Sequence, residues 1–300
     1  MVGSAPRVVL VTRETEYEGL LARHGTHAQA AFFLETRGQL VEEVKARHEQ
    51  VRWARRAVLA GIPMDWRRSQ VHRADLDRFL FEPDDTVVVV GQDGLVANTA
   101  KYLDGQPVIG INPAPDLYDG VLVPFSSDAA HRLIVAAAAR RAATQPRTMV
   151  EAALPDGQRL LALNEIFVGA RTHQSARYQI SVGDHAERQI SSGVIVASGT
   201  GATGWARSIN RERRDALTLP APSDDVLAFF VREVFPSVAT GVEVTAGLIT
   251  ADTHLTITSE MNGDGVLFGD GIEGDRLAFD WGVTATLRVA PRRLQLVVDG

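Results

Sequence analysis

The sequence contains no cysteine, which excludes disulfide bonds, thiolate catalysis and cysteine-ligated zinc. Lysine is nearly absent as well, because Lys45 and Lys101 are the only lysines among 31 basic residues. No Gly-Lys-Ser or Gly-Lys-Thr sequence occurs, so a phosphate-binding loop of the Walker type is excluded. Any phosphate that this chain binds must therefore be held by backbone amides, arginines and a metal ion.

Long apolar runs and blocks of basic residues are also missing. No stretch approaches the roughly 18 apolar residues that a membrane-spanning helix needs, and residues 1–7 lack the apolar core of a secretion signal. The formal net charge of -6 is spread along the chain, so the positive surface that nucleic-acid binding requires is not expected. These absences predict a cytoplasmic protein that binds neither membranes nor nucleic acids.

The first 126 of the 300 residues alternate between strand-like and helix-like segments. Runs rich in β-branched residues predict strands at 7–12, 86–90 and 107–111, and four consecutive valines at 87–90 indicate a strand covered on both faces. Apolar residues at helical spacing predict helices within 38–61, around 76–80 and at 96–103. This alternation predicts that residues 1–126 form an α/β domain with an open, mostly parallel sheet.

Beyond residue 126 the pattern changes to short strands separated by turns. One helix is expected at Asp128–Ala143, with Asp128 as its N-cap. Pro155-Asp156-Gly157 predicts a hairpin turn between strands at 149–154 and 159–163. Further strands are predicted at 178–182, 193–197, 242–249, 254–259, 276–281 and 294–298, whereas 226–235 fits either a helix or a strand. Residues 127–300 are therefore predicted to form an all-β domain.

The four valines lead directly into Gly91-Gln92-Asp93-Gly94, and a helix-forming segment follows. In open α/β sheets, ligands bind where the carboxyl ends of strands meet the starts of helices. Glycines let a phosphate approach the backbone, and helix N-terminal amides bind anions without a lysine. Asp93 is the one carboxylate in this turn, and it can accept a proton from an attacking hydroxyl or help to hold Mg²⁺. Taken alone, the turn is explained equally well as an Asp-Gly turn without function.

Two further motifs lie in the second half of the chain. Leu163-Asn164-Glu165 ends a predicted hairpin strand, and Thr200-Gly201-Ala202-Thr203-Gly204-Trp205 follows an apolar strand. Together with the glycine turn and Pro107–Asn112, these motifs stand in the order and at the spacing of the NAD kinase family, which the chain resembles over most of its length. The segments 18–24, 191–193, 199–201 and 208–211 are most similar to the mitochondrial-type branch of that family.

This resemblance implies a two-domain enzyme with its site between an α/β domain and a β-rich domain. The enzyme would transfer a phosphoryl group from ATP with Mg²⁺, or from polyphosphate, to the 2′-hydroxyl of the adenosine ribose of NAD⁺. Asp93 would activate that hydroxyl, while Asn164 and Glu165 would hydrogen-bond the ribose and the base. The remaining nucleotide-binding positions would be Gly91, Gly94, Thr200, Gly201, Thr203, Gly204 and Trp205. The resemblance also implies a homo-oligomer, most simply a dimer.

The chain departs from the family pattern beside its proposed catalytic carboxylate. Gln92 replaces the second glycine of the turn, and Leu95 replaces a threonine. Ser192 stands where many members carry an aspartate, although the mitochondrial-type branch uses serine. The first two changes concern the efficiency of the enzyme or the identity of the donor, and they leave Asp93 untouched.

Three other functions stay open alongside this one. Gly199–Gly204 fits the dinucleotide fingerprint G-x-G-x-x-G, but the polar and proline-containing sequence after it lacks the second strand and acid that the fingerprint needs. A kinase of the same fold that acts on a lipid or a nucleoside is an alternative, and so is an NAD-binding protein with little catalytic activity. A zinc site is not expected, because His24 and His27 lack a third ligand.

Overall fold

The computed structural model describes residues 5–117 and 119–299, which form two compact units. Unit 1 comprises the residues up to Gln145 and those from Gln295 onward, whereas unit 2 comprises Pro146–Leu294. The division lies beyond the boundary expected at residue 126, because the helix at Ala130–Ala138 packs against strands and a helix of unit 1. The chain also returns to unit 1 at its carboxyl end, which no local pattern in the sequence indicates.

Unit 1 is built on a parallel sheet. Its strands are β1 (Arg7–Thr12), β2 (Arg67–His72), β3 (Thr86–Val90) and β4 (Pro107–Ile111), and its helices are α1 (Glu16–His24), α2 (His27–Glu35), α3 (Val41–Gly61), α4 (Asp93–Ala100) and α5 (Ala130–Ala138). The strand order is β2-β1-β3-β4, and the last residues of β16 (Thr284–Val297) pair with β4. This architecture agrees with the predicted open α/β sheet.

The centre of unit 1 is β3, all five residues of which are buried, as the run of valines predicts. It pairs in parallel with β1 on one side and with β4 on the other. Apolar residues of α3 and α5 pack against these strands and cover them. Because parallel strands end at the same edge of a sheet, the segments that follow β1, β3 and β4 share one edge, which is where ligands of such sheets bind.

Several local predictions for unit 1 need correction. Helix α4 begins at Asp93, three residues before the predicted start, so the glycine turn merges into the helix. Asp128 is not an N-cap, because it lies inside a 3-10 turn at Ser127–Ala129 that precedes α5. The segment around 76–80 forms a 3-10 turn at Arg73–Arg78 instead of an α-helix. Strand β2 was missed because its sequence RRSQVH is polar and only one of its six residues is buried at the sheet edge.

Unit 2 consists mainly of antiparallel strands. They are β5 (Thr144–Ala153), β6 (Arg159–Ala162), β7 (Glu165–Ala170), β8 (Ala176–Val182), β9 (His185–Ser191), β10 (Val194–Ala197), β11 (Val226–Val231), β12 (Ala246–Thr250), β13 (Leu255–Ser259), β14 (Gly265–Gly269), β15 (Ile272–Ala278) and the first part of β16. One sheet has the order β12-β11-β10-β7-β14-β15, and the other joins β16, β13, β8 and β9, with β5 paired to β16 and β6 paired to β5. A short helix, α6 (Trp205–Arg211), interrupts the otherwise β-rich unit.

The core of unit 2 lies between these two sheets. Val168 and Phe229 from one sheet are buried together with Tyr178 and Ile257 from the other. The predicted hairpin turn is confirmed, since the Leu154 N–H donates to the Gln158 carbonyl over 2.9 Å. The ambiguous segment 226–235 begins as strand β11, which is buried along almost its whole length. No helix among the described residues is long and apolar enough to cross a membrane.

Candidate active site

The glycine turn follows β3 at the carboxyl edge of the unit 1 sheet. The Gly91 N–H donates to the Ile111 carbonyl over 3.1 Å, which ties the start of the turn to the neighbouring strand. Gln92 has a φ of -101°, an extended conformation that any residue adopts. Replacing a glycine by Gln92 therefore costs no backbone strain, because this position does not need a positive φ. Asp93 is then the first residue of α4.

The Asp93 carboxylate accepts two backbone hydrogen bonds from the segment after β4. Its Oδ1 accepts from the Leu122 N–H over 2.8 Å, and its Oδ2 accepts from the Val121 N–H over 3.1 Å. This segment comes close because β4 carries Gly110, where a Cβ would lie only 2.0 Å from the Leu122 carbonyl oxygen. Sequence reasoning missed that role, although a glycine inside a β-branched strand signals a close backbone approach.

Asp93 keeps the capacity for chemistry after these hydrogen bonds are made. A carboxylate oxygen has two lone pairs, so each oxygen can accept a further proton donor or contact a cation. The side chain is only partly buried, and a Cβ at the neighbouring Gly94 would meet no heavy atom within 4 Å. Leu95, in contrast, is fully buried and forms part of the protein core. The turn thus presents one carboxylate beside open space.

In unit 2, Asn164 and Glu165 lie at the start of β7, and Asp270 holds them in place. The Asp270 Oδ1 accepts from the Asn164 N–H over 2.7 Å, and its Oδ2 accepts from the Leu163 N–H over 2.9 Å. The Asp270 N–H in turn donates to the Glu165 carbonyl over 3.1 Å. Sequence reasoning missed Asp270, yet an acid between Gly269 and Gly271 is a turn signal like that of the first loop.

Glu165 has an altered acidity. Burial raises the pKa of its carboxyl group to about 7, and the charge of nearby Asp270 acts in the same direction. Both effects disfavour the ionised form, the first by removing water and the second by repulsion between like charges. Near neutral pH, Glu165 is therefore present in both protonation states, and its protonated form can donate a hydrogen bond as well as accept one.

The loop Thr200–Trp205 packs against the Asn164 motif. A Cβ at Gly201 would lie 2.1 Å from the Asn164 carbonyl oxygen, so this contact requires glycine. Ser198 joins the two segments, because its N–H donates to the Asn164 carbonyl over 2.9 Å and its Oγ donates to the Leu163 carbonyl. The same Oγ accepts from the Thr200 N–H over 3.1 Å. Ser198 is a positioning residue that no sequence motif indicated.

Thr200 and Trp205 carry the features that suit a ligand. The Thr200 Oγ1 is buried and has no hydrogen-bond partner within the part of the chain that the structure describes. Since buried polar atoms are nearly always paired, this hydroxyl is suited to a polar atom of a ligand. The Thr203 hydroxyl already has a partner within the loop, because its Oγ1 donates to the Thr200 carbonyl over 2.9 Å. Trp205 is 38% exposed and stacks loosely on Phe167, with ring centroids 6.3 Å apart.

The predicted residues thus fall into two groups, one in each unit. Gly91, Asp93 and Gly94 form the turn in unit 1, whereas Asn164, Glu165, Thr200 and Gly201 are joined in unit 2 through Ser198 and Asp270. Each group combines a carboxylate, which can accept hydrogen bonds from sugar hydroxyls, with glycine-rich backbone, whose amides can bind phosphates.

The chain is similar in sequence to known proteins of one family. The chain is 26% identical to human mitochondrial NAD kinase 2 over 262 residues, which cover 70% of the chain and 52% of the relative. It is 28% identical to the rat protein over 244 residues, covering 70% of the chain and 55% of the relative. It is 33% identical to NAD kinase of Aromatoleum aromaticum over 134 residues, covering 42% and 44%. The chain resembles the NAD kinases.

The fold points the same way. A crystal structure of yeast NADH kinase complexed with NADH matches with a TM-score of 0.59 at 15% identity, covering 99% of this chain and 84% of that one. The chain thus shares the two-domain NAD kinase fold, as the sequence predicts. It spans about half the length of the curated relatives that it matches. No protein-family model matches it.

The glycine fingerprint does not mark a dehydrogenase in this fold, and the histidine pair contributes to packing. The G-x-G-x-x-G sequence at 199–204 follows β10, whose neighbours β7 and β11 are both antiparallel, so it does not belong to the βαβ unit of a dehydrogenase. The His27 Nδ1 is hydrogen-bonded to the Tyr17 hydroxyl over 2.9 Å. The His24 ring packs against the Phe33 ring in a tilted arrangement, with centroids 4.4 Å apart. These histidines contribute to packing.

Proposed function

We propose that this chain is an NAD kinase, which transfers the γ-phosphoryl group of Mg-ATP to the 2′-hydroxyl of the adenosine ribose of NAD⁺ and gives NADP⁺. The observation that carries this proposal is the Asp93 carboxylate, held by two backbone amides beside open space in a strand-to-helix turn. The similarity to NAD kinases over 70% of the chain supports the choice of reaction.

In this reaction Asp93 accepts the proton of the 2′-hydroxyl as the hydroxyl oxygen attacks the γ-phosphorus. The new bond joins that oxygen to phosphorus, while the bond from phosphorus to the bridging β,γ-oxygen breaks and ADP leaves. Phosphoryl transfer depends mainly on positioning and on neutralising charge, so little further acid or base chemistry is needed. The two backbone donors fix the orientation of the carboxylate. They use only one lone pair of each oxygen, so either oxygen can still accept the proton.

Magnesium would fit this turn as a partner of the substrate and not as a resident of a protein cage. The described residues hold no group of three or more His, Asp or Glu side chains that could bind a metal ion. Magnesium commonly uses one or two carboxylates together with substrate phosphates and water. Asp93 is the carboxylate that would contribute, and the ion would neutralise charge on the donor phosphates.

The unit 2 residues take the binding roles in this proposal. Asn164 and Glu165 would hydrogen-bond the ribose and base of NAD⁺, the free Thr200 hydroxyl would bind a polar atom of the dinucleotide, and Trp205 would flank it. Because burial raises the pKa of Glu165 to about 7, its carboxyl group can be protonated or ionised near neutral pH, which suits contact with either a hydroxyl or a ring nitrogen. We further infer a homodimer, as the family resemblance implies, and a cytoplasmic location without membrane or nucleic-acid partners, as the composition predicts.

One coupled assay tests the reaction. NADP⁺ formation by the purified chain is measured with ATP or polyphosphate as donor and with NAD⁺ or NADH as acceptor, each with and without Mg²⁺. Phosphorylation of a dinucleotide, dependent on donor and metal, is the expected result. Activity only on a lipid or nucleoside alcohol would contradict NAD as the acceptor. Tight NAD⁺ binding by calorimetry with no product over hours would instead indicate a protein that binds NAD without phosphorylating it.

A further inference from the structure

A cavity opens at the carboxyl edge of the unit 1 sheet, beside the glycine turn. Its lining comes from the segments after β1, β3 and β4 and from one face of α3, and it includes Arg13, Arg55, Gly91, Gln92 and Pro113. The register explains why Arg13 reaches this place. Strands β1 and β3 run in parallel, with Val11 opposite Val89. The first residues that follow the two strands therefore lie at the same level along the sheet. Arg13 and Gln92 are such residues.

Arg13 is held in this cavity by the residue that departs from the family pattern. A terminal guanidinium nitrogen of Arg13 donates to the Gln92 Oε1 over 2.8 Å. The Arg13 carbonyl is also fixed, because it accepts a hydrogen bond from the Arg55 guanidinium. A glycine at position 92 could not make the first of these contacts. Gln92 therefore does more than fill the place of a glycine, since it directs an arginine toward the turn.

The other two arginines of the cavity, unlike Arg13, have a carboxylate nearby. Arg47 is paired with Glu16 over 2.8 Å, and Arg55 has Glu18 at 3.9 Å. No carboxylate of the described residues lies within 4.0 Å of a charged nitrogen of Arg13, whose only side-chain partner there is the neutral amide of Gln92. A partly buried guanidinium without an anion is costly, and arginine binds phosphates through paired hydrogen bonds. The remaining donors of Arg13 thus suit an anionic ligand.

We propose that Arg13, aligned by Gln92, binds the phosphate groups of the phosphoryl donor. This inference rests on the proposed kinase function and assigns its donor contact to a residue of the β1–α1 connection. The chain has only two lysines, so an arginine in this position supplies a fixed positive charge next to the turn that carries Asp93. Gln92 is then a positioning residue for the donor, and the altered turn is compensated by a contact from a neighbouring strand end.

The test is the donor dependence of Arg13→Ala, Arg13→Lys and Gln92→Gly. Loss of a charged hydrogen bond to phosphate is expected to raise the KM for the donor about 10–100-fold in Arg13→Ala, with the KM for NAD⁺ changed less than about three-fold. Arg13→Lys keeps the charge without the planar fork and is expected to lie between that variant and the wild type. Gln92→Gly, which restores the family glycine, is expected to raise the donor KM several-fold instead of improving it.

Arg52→Ala is the matched control, because Arg52 lies on α3, is partly exposed and pairs with Glu49 on the same helix. It is expected to leave both KM values unchanged. Thermal unfolding of every variant shows whether the fold is kept, and the Arg13→Lys and Gln92→Gly variants still test the inference if Arg13→Ala does not fold. An unchanged donor KM in folded Arg13 variants, or a lower donor KM in Gln92→Gly, would overturn the proposal.

A binding measurement separates this inference from the proposed function. Inorganic tripolyphosphate and ATP are titrated by calorimetry into the wild type and the Arg13→Lys variant, with no NAD⁺ present. Weaker binding of both ligands by the variant supports a phosphate contact even if no NADP⁺ forms in the coupled assay. Equal binding by the two proteins would overturn the role of Arg13 even if the chain proves to be an active NAD kinase.

Discussion

In unit 1, a methyl group at Gly94 would meet no heavy atom within 4 Å, whereas in unit 2 one at Gly201 would lie 2.1 Å from the Asn164 carbonyl oxygen. The two loops look alike in sequence, since each is rich in glycine and follows an apolar strand. One glycine leaves space for something outside the chain, and the other is required by the chain's own packing. A glycine-rich loop is therefore not by itself evidence for a bound ligand, because its glycines can also be required by internal packing.

The two Asp-Gly pairs make a second comparison. Asp93 and Asp270 each accept two backbone hydrogen bonds of 2.7–3.1 Å, so local geometry alone does not distinguish them. Their surroundings do. Asp270 fixes the adjacent motif and adds to the effect of burial in raising the pKa of Glu165, while Asp93 stands at a helix N-terminus beside the open position of Gly94. We therefore propose a chemical role for Asp93 and a positioning role for Asp270.

The largest expected effect comes from Asp93→Asn. Loss of the general base is expected to lower turnover by roughly 10²–10⁴-fold, since that is the usual contribution of such a group. The amide oxygen can still accept one of the two backbone bonds, so the fold is expected to survive, as checked by circular dichroism. Asp270→Asn serves as the matched comparison, with its main effect expected on the KM for NAD⁺ and on thermal stability. Turnover of Asp93→Asn within a few-fold of the wild type would show that the two acids have been assigned wrongly.

The next effect concerns the pH dependence of stability at Glu165. Its pKa is about 7 when folded and near 4.5 when free of these effects, so between these values the folded chain holds a proton that the unfolded chain has lost. The stabilisation is complete below about pH 4.5 and is lost as the pH rises through 7. Relative to Glu165→Gln, the wild type is expected to lose about 2–3 kcal/mol of unfolding free energy between pH 5 and 8.

Urea unfolding of both proteins at several pH values measures this difference. Glu243→Gln is the control, because Glu243 is an exposed glutamate of the same unit. Its unfolding free energy is expected to follow the wild type at every pH. If the Glu165→Gln curve also stayed parallel to the wild type, the raised pKa would be contradicted.

A smaller effect is expected for Gly201→Ala. The added methyl group must push the loop away from Asn164, and such overpacking typically costs about 1–3 kcal/mol of unfolding free energy. The displaced loop is also expected to weaken NAD⁺ binding, because Thr200 moves with it. Denaturant unfolding and calorimetric NAD⁺ titration measure the two consequences. A variant as stable as the wild type would mean that this loop is freer than its contacts indicate.

The smallest change in stability is expected for Gly94→Ala, the matched variant in the first loop. Alanine is favoured over glycine in a helix by up to about 1 kcal/mol, and no packing opposes it here. Unfolding free energy is therefore expected to stay equal or to rise slightly, while the donor KM rises because the methyl group enters the ligand space. A clear loss of stability would remove the contrast between the two loops.

Sequence reasoning succeeded where a signal is local. The valine run predicts β3 because a strand buried on both faces excludes polar side chains, and Pro155-Asp156-Gly157 predicts a turn because its backbone preferences are set residue by residue. It failed where neighbours decide. The polar edge strand β2 is stabilised by pairing with β1, and the start of α4 at Asp93 depends on the turn before it.

The sequence by itself determined the family resemblance, the α/β then β-rich order of the chain and the candidate residues Asp93, Asn164, Glu165 and Thr200. Only the tertiary structure decided what holds them. Leu122 is 29 residues from Asp93, Asp270 is 106 residues from Asn164, and Arg13 is 79 residues from Gln92. Contacts over such separations arise from strand pairing and close backbone approach, and no window of sequence contains both partners.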